Sequence, residues 1–229
     1  MRDYALPSHN ECLSIIRDCH VPIHIARHNE AVARLAVFLA RRLIERGIEI
    51  DVELVERASL LHDLFRVCDF PLEDFRWFEQ PVTEDDKHRW RRLKARHGHV
   101  RHEEAADAFL KDRYPVLATT IRRHRYVAVV DETDCPQSWE EKLVYYADKR
   151  AMHDTIVPLK DRLEDAHRRS AIAMAKAGIA RCVEMEKAVD ARIFELEADI
   201  FNAIGLAPDD VTDEFIDRWP TDYGSSTTL

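Results

Sequence analysis

Two residue types that ligate metals stand side by side at the end of an apolar helical run: His62-Asp63, within Leu60-Leu61-His62-Asp63-Leu64-Phe65-Arg66. A carboxylate set against a core is costly unless a cation neutralises it. The dipeptide alone is a weak signal, because His153-Asp154 repeats it later in the chain, where it is expected at the rim of a site or at the surface. Its partners carry the argument. His28 lies one turn before Val32 in a helical apolar stripe, and Asp148 shares a face with Val144 and Ala147. His28, His62, Asp63 and Asp148 then offer N/O donors from three predicted helices, a set that suits a divalent transition metal with open positions for water and substrate. His102 and His124 could supply a second ion, with Asp63 as the bridging carboxylate. His97 and His99 rival His102 by spacing; His102 is preferred because Ala105-Ala106 and Phe109-Leu110 follow it as a helix able to pack. Such ions would activate water and stabilise oxygens in an in-line displacement.

The elements that must position these residues read as helices. Pro22 opens a long helix that closes at Gly47, with Val32, Leu35, Ala36, Leu39 and Leu43 at helical spacing. Asp51 caps a second, carrying Val55, Ala58 and Leu61-His62 on one side. Residues 67–98 break the pattern with Phe70, Phe75, Trp77-Phe78, Trp90 and the basic run Arg91-Arg92-Leu93-Lys94; they read as a lid-like insertion with one short helix over 84–96. Further helices run from near His102 to Leu110 and from Pro115 to His124. Ser138 and Glu141 form a capping box for the helix that ends at Asp148. Pro158 opens another element, and a long helical stretch over 170–204 ends at Gly205. Residues 225–229 read as a frayed tail. No strand-like alternation of useful length is present, so the fold class is all-α.

Composition narrows the function. The chain has 229 residues, 46% hydrophobic and 34% charged, enough for one sizeable domain. Only five glycines are present, which disfavours hairpin-rich folds and leaves no Gly-rich phosphate loop. A formal charge of −9 argues against nucleic acid as a partner. Five cysteines without a Cys-x-x-Cys spacing indicate neither a disulfide framework nor a zinc ribbon. The opening Met1-Arg2-Asp3-Tyr4 lacks a signal-peptide apolar stretch and no run reaches membrane-spanning length, so a cytoplasmic location with no membrane partner is expected.

The order His28 … His62-Asp63 … His102 … His124 … Asp148 resembles the HD-domain superfamily of metal-dependent phosphohydrolases, in the subgroup with two extra histidines before the final aspartate. The flanks are similar too. Arg27-His28-Asn29-Glu30-Ala31 resembles the first-His helix of that family, and Ala58-Ser59-Leu60-Leu61-His62-Asp63 its central segment. His102-Glu103-Glu104-Ala105-Ala106, Ile121-Arg122-Arg123-His124 and Tyr145-Tyr146-Ala147-Asp148-Lys149 complete the series, over roughly residues 20–165. Many members continue the pair with Ile-Gly-Lys, whereas this chain reads Leu64-Phe65-Arg66; Arg66 keeps the charge in a planar fork. No Gly-Tyr-Pro signature follows, so a cyclic di-GMP esterase is not expected.

The resemblance implies an HD-domain helical bundle with a long C-terminal helix. Residues 1–165 would form the catalytic domain and 166–229 a helical extension packed on it or on a second subunit of a homodimer. It implies one or two divalent ions (Mn, Fe, Co, Ni or Mg) and hydrolysis of a phosphoester or phosphoanhydride in a nucleotide or related small phosphorylated metabolite. Asp63, Arg66 and Lys149 are the expected catalytic residues. Arg66 and Lys149, each within a turn of a proposed ligand, and Arg125 beside His124 would hold the phosphate. Two alternatives stay open: a di-iron oxygenase acting on a small polyol or phosphonate, which shares the ligand set, and a nucleotide-sensing module without turnover.

Overall fold

Ten α-helices and one two-residue hairpin make up the regular α and β structure among the described residues, 3–76 and 78–219 of this computed structural model. α1 (His9–Asp18) starts from a capping box between Ser8 and Glu11 and buries Cys12 and Ile16. It was not anticipated from its sequence, because only two of its residues reach the core. α2 (Ile23–Glu45) is the central helix. Pro22 stands at its N-cap, and Gly47 beyond its end takes a φ of 82°. Val32, Leu35, Ala36, Leu39 and Leu43 are all fully buried. Each buried leucine contributes about 1.5–3 kcal/mol, and Leu35→Ala would cost about 2–5 kcal/mol, well above a typical surface change of about 0.5 kcal/mol.

α3 (Val52–Leu61) is capped by the Asp51 side chain, which accepts from the Glu53 and Leu54 amides, and packs along α2. The segment after it, read from sequence as a lid-like insertion with one short helix, sends Phe78 and Trp90 into the core while most of its other residues are exposed or half-buried. Its helix α4 (Glu84–His97) carries Trp90 at 0% exposure, stacked on Phe78 with ring centroids 4.7 Å apart. The Trp90 Nε1 donates to the His20 carbonyl at 2.7 Å, which ties the insertion to the α1–α2 turn. Trp77 lies outside the described residues. α5 (His102–Leu110) and α6 (Pro115–Arg122) pack on each other, though Phe109 points outward at 51% exposure.

α7 (Trp139–Asp148) opens with the predicted Ser138–Glu141 capping box and packs on α2 and α3. β1 (Ala151–Met152) and β2 (Thr155–Ile156) pair antiparallel, a hairpin too short for an alternation pattern to reveal. The expected single helix over 170–204 is two helices, α8 (Leu159–Ala177) and α9 (Val183–Ile204). Gly178 separates them with φ 68°, a left-handed conformation that ends a helix and that glycine takes without Cβ strain. α9 packs on α2 and α7. A buried network holds it there: the Tyr146 hydroxyl donates to Glu197 at 2.5 Å and receives Arg150 Nη1 at 2.7 Å. α10 (Asp213–Asp217) closes the fold against α2, and residues 225–229 lie outside the described residues.

Candidate metal centre

Five of the six predicted donors sit at helix ends. α3 finishes at Leu61, so His62 and Asp63 occupy the turn that follows; His102 opens α5, His124 follows α6, and Asp148 closes α7. Ends suit this task because a chain leaving its helix can direct neighbouring side chains, such as His62 and Asp63, to one point. His28 is the exception, in the second turn of α2. There the Asn29 side chain donates to the Leu60 carbonyl at 2.9 Å and fixes α2 against the end of α3.

The four histidines share one arrangement. The Nδ1 of His28 lies 2.9 Å from the His153 carbonyl, that of His62 2.7 Å from Ser59, and that of His124 2.5 Å from Ile121. The Nδ1 of His102 lies 2.6 Å from an Asp69 carboxylate oxygen. Carbonyls and ionised carboxylates only accept, so each Nδ1 carries the proton and each Nε2 is left to turn inward. Outer partners of this kind orient histidines that bind metals. The inner atoms converge: His28 Nε2 is 3.0 Å from Asp148 Oδ1, and His102 Nε2 is 3.0 Å from Asp63 Oδ1. Asp63 faces both halves, with its other oxygen 3.9 Å from His62 Nε2.

Two features mark this as a cation site. The His62 Nε2 is buried with no hydrogen-bond partner. The Nε2 atoms of His102 and His124 face each other at 3.3 Å, an approach that calls for one positive charge between them, a proton or a metal ion. Three overlapping groups, His28-His62-Asp63, His62-His124-Asp148 and Asp63-His102-His124, each keep their donor atoms within 4.8 Å. The residues present therefore fit divalent metal.

Charge is balanced inside the cluster. Burial favours the protonated carboxyl at Asp63, but His62 and His102 hold it well below the usual carboxylate range. At Asp148 burial is likewise outweighed, by Lys149, by the bond from His28 and by the His62 ring 3.7 Å away. Burial disfavours a charged His102, yet Asp63 and Asp69 raise its pKa to about 9. His124 moves the other way, lowered chiefly by burial. A proton on His102 thus satisfies, in the absence of an ion, the charge that a cation would supply.

The cluster opens into a cavity of about 510 Å3. Arg66 lines it, but its guanidinium lies 3.2 Å from Asp69 and 4.0 Å from Asp63. Lys149 lines it too, with its ammonium 2.5 Å from Asp148 and 2.9 Å from the His124 carbonyl. Arg125 is not brought into the lining; it pairs with Asp131 at 3.3 Å. The rivals of His102 lie elsewhere, His97 against the Phe65 ring and His99 lining a separate surface depression. His153 enters the site through its backbone: a φ of 57°, unusual outside glycine, turns its carbonyl to His28. Asp69, buried Glu103 and the α8 residue Arg162 line or support the site and were missed from sequence. For Asp69 a signal existed, a carboxylate seven positions beyond His62; for Arg162 there was none, since only packing brings α8 over the cavity.

A family model of the HD domain matches residues 25–153, more than half of the chain. This chain belongs to the HD domain family. Members are mostly metal-dependent hydrolases, and the match spans His28 through Asp148, so all six donors lie within the HD domain while α8 and α9 lie beyond it. No match was found among curated proteins, nor among solved structures.

Proposed function

We propose that the protein is a metal-dependent phosphohydrolase that cleaves a phosphoester or phosphoanhydride in a nucleotide or a related small phosphorylated metabolite. The observation that carries this reading is the inward set of histidine Nε2 atoms on both sides of Asp63. His28, His62, Asp63 and Asp148 would hold one ion, and Asp63, His102 and His124 a second, as in HD domains with two additional histidines. Divalent ions supply Lewis acidity there, activating water at neutral pH and offsetting charge on phosphoryl oxygens.

The chain's own groups prepare that chemistry. Asp69 and the carbonyls of Ser59, Ile121 and His153 keep protons on the outer imidazole nitrogens, so the inner ones stay available to a cation. Lys149 keeps Asp148 ionised, and His62 and His102 keep Asp63 ionised. Arg66 remains 39% exposed on the cavity side, where its remaining N–H groups can donate to a non-bridging phosphoryl oxygen. Hydrolysis adds water across the P–O bond, giving a phosphate and the freed hydroxyl or shorter phosphate. A cavity of about 510 Å3 admits a single nucleotide-sized metabolite.

The test is phosphate release from a panel of nucleotides and simple phosphoesters, with Mn²⁺, Co²⁺, Ni²⁺, Mg²⁺ or anaerobically supplied Fe²⁺. Turnover by the wild type that disappears in His62→Ala supports hydrolysis. Oxygen uptake by the iron form without phosphate release would replace hydrolysis by oxygenation, and tight nucleotide binding without product under every metal would leave a sensor.

A further inference from the structure

The cavity has two kinds of wall. One is the HD domain with its donors; the other is mainly one face of α8, which includes Arg162, Ala166, Arg169, Ser170 and Ala173, with Glu186 of α9 beside it. Those α8 residues recur at three- and four-residue spacing, so they form one stripe of the helix, and they lie outside the family match.

The cations that line this cavity are not equivalent. Arg66 pairs with Asp69, Lys149 with Asp148, Arg101 with Glu103 at 3.5 Å, and Arg169 with Asp165 at 2.7 Å. Arg162 differs. Its Nε donates to the Ala151 carbonyl at 2.7 Å, which fixes the guanidinium plane, and no carboxylate of the described residues lies within the 4.0 Å of an ion pair. Burial works against its charge, with Asp148 attracting it only from beyond pairing distance. Its two terminal NH2 groups make no hydrogen bond with the described residues and are not sealed from solvent. A guanidinium held in this way, with its fork unused, is arranged for an external oxyanion.

We propose that Arg162 is the specificity-determining residue of the site, binding a tetrahedral oxyanion of the substrate, a phosphate or phosphonate, through its two terminal NH2 groups. This rests on the metal-site reading above for its location but not for its chemistry. The α8 wall then selects substrates that bring an anionic group to Arg162, and neutral phosphate-free analogues are poor ligands. Ser170, two turns along the same face, borders the same space.

The experiment uses the full-length protein in three measurements. Titration calorimetry with inorganic phosphate and with methylphosphonate is run on the Mn²⁺-loaded wild type, Arg162→Met and Arg162→Lys. Loss of a charged, two-pronged contact is expected to weaken binding by about tenfold to a hundredfold in Arg162→Met, with Arg162→Lys between the two because it keeps charge without the fork. Mn²⁺ stoichiometry is measured in the same samples and is expected to be unchanged. Phenylglyoxal labelling of the metal-free wild type, read peptide by peptide by mass spectrometry, needs no variant: Arg162 is expected to be labelled and to be protected by phosphate. Unchanged oxyanion affinity in Arg162→Met, or labelling of Arg162 that phosphate does not slow, overturns the proposal. If the wild type instead takes up no Mn²⁺ while phosphate still protects Arg162, the metal reading fails and the oxyanion site stands.

Discussion

Loading the cluster with metal must displace a proton, and the structure sets how strongly. His102 is held at a pKa of about 9 by Asp63 and Asp69 against the opposing effect of burial. Its folded value lies above the ordinary histidine value of about 6.5, so the metal-free protein carries this proton at neutral pH, and the stabilisation it brings is complete below about 6.5 and lost as pH rises through about 9. A metal needs the same Nε2 as a lone pair. Its apparent affinity should therefore rise with pH and level off above about 9. Between about pH 7 and about pH 8.5 the competing proton falls from roughly a hundredfold handicap to roughly fourfold, a gain of about 25-fold or about 2 kcal/mol. His62, also raised by Asp63 and Asp148 against burial, can only steepen the dependence. Calorimetric Mn²⁺ titrations at the two pH values, each in two buffers of different ionisation enthalpy, read both affinity and protons released. At least one proton should leave per chain at the lower pH. Equal affinities at both pH values, with no buffer-dependent heat, would refute the assignment of the proton to this cluster. The metal-free protein should show the opposite trend in melting temperature, losing stability toward alkaline pH as His102 discharges.

Three further outcomes follow from particular contacts. Asp69→Ala removes the carboxylate 2.6 Å from His102 Nδ1 and should weaken Mn²⁺ binding by about 10- to 100-fold, measured by competition with a chelating dye; wild-type affinity would mean that His102 needs no orienting partner. Trp90→Ala empties a fully buried ring site and breaks the Nε1 bond to His20, so urea denaturation should report a loss of about 3–5 kcal/mol, whereas a loss below about 1 kcal/mol would mark the insertion as loosely attached after all. Gly178→Ala and Gly205→Ala both force a side chain into left-handed backbone, at φ 68° and 71°. A Cβ at 178 meets open space, while one at 205 would stand 2.7 Å from the Arg46 Nη2 that bonds the Ile204 carbonyl. Gly205→Ala should therefore cost about 1 kcal/mol more, and equal losses in denaturant melts would show that Arg46 yields freely.

How far the sequence could be read depended on the range of the forces involved. Helix starts at Asp51 and Ser138 are legible because a cap and its amides lie within four residues of each other, and the one at Pro158 because proline fixes its own φ and favours the start of a helix. The long stripe of α2 was legible because five apolar residues repeat at one period. α1 escaped, since its two core residues are too few to make a pattern, and the break at Gly178 was hidden by the alanine- and glutamate-rich sequence on both sides. The packing of the insertion is hard to read for a related reason. Its aromatics carry no period, and only contact with the α1–α2 turn decides that Trp90 is core rather than cover.

For the site, residue type and order alone singled out His28, His62, Asp63, His102, His124 and Asp148, because imidazole and carboxylate on apolar faces are costly without a cation. What the sequence could not determine was how each is held and which charges are already spent. His28 meets Asp148 across 120 residues, and the His28 ring is set by a carbonyl 125 positions away. Arg66, Lys149 and Arg162 look alike as isolated cations in a string of letters. Only the folded chain gives carboxylates to the first two and leaves the third facing the cavity, since ion pairing at a few ångströms is settled by packing through space and not by distance along the chain.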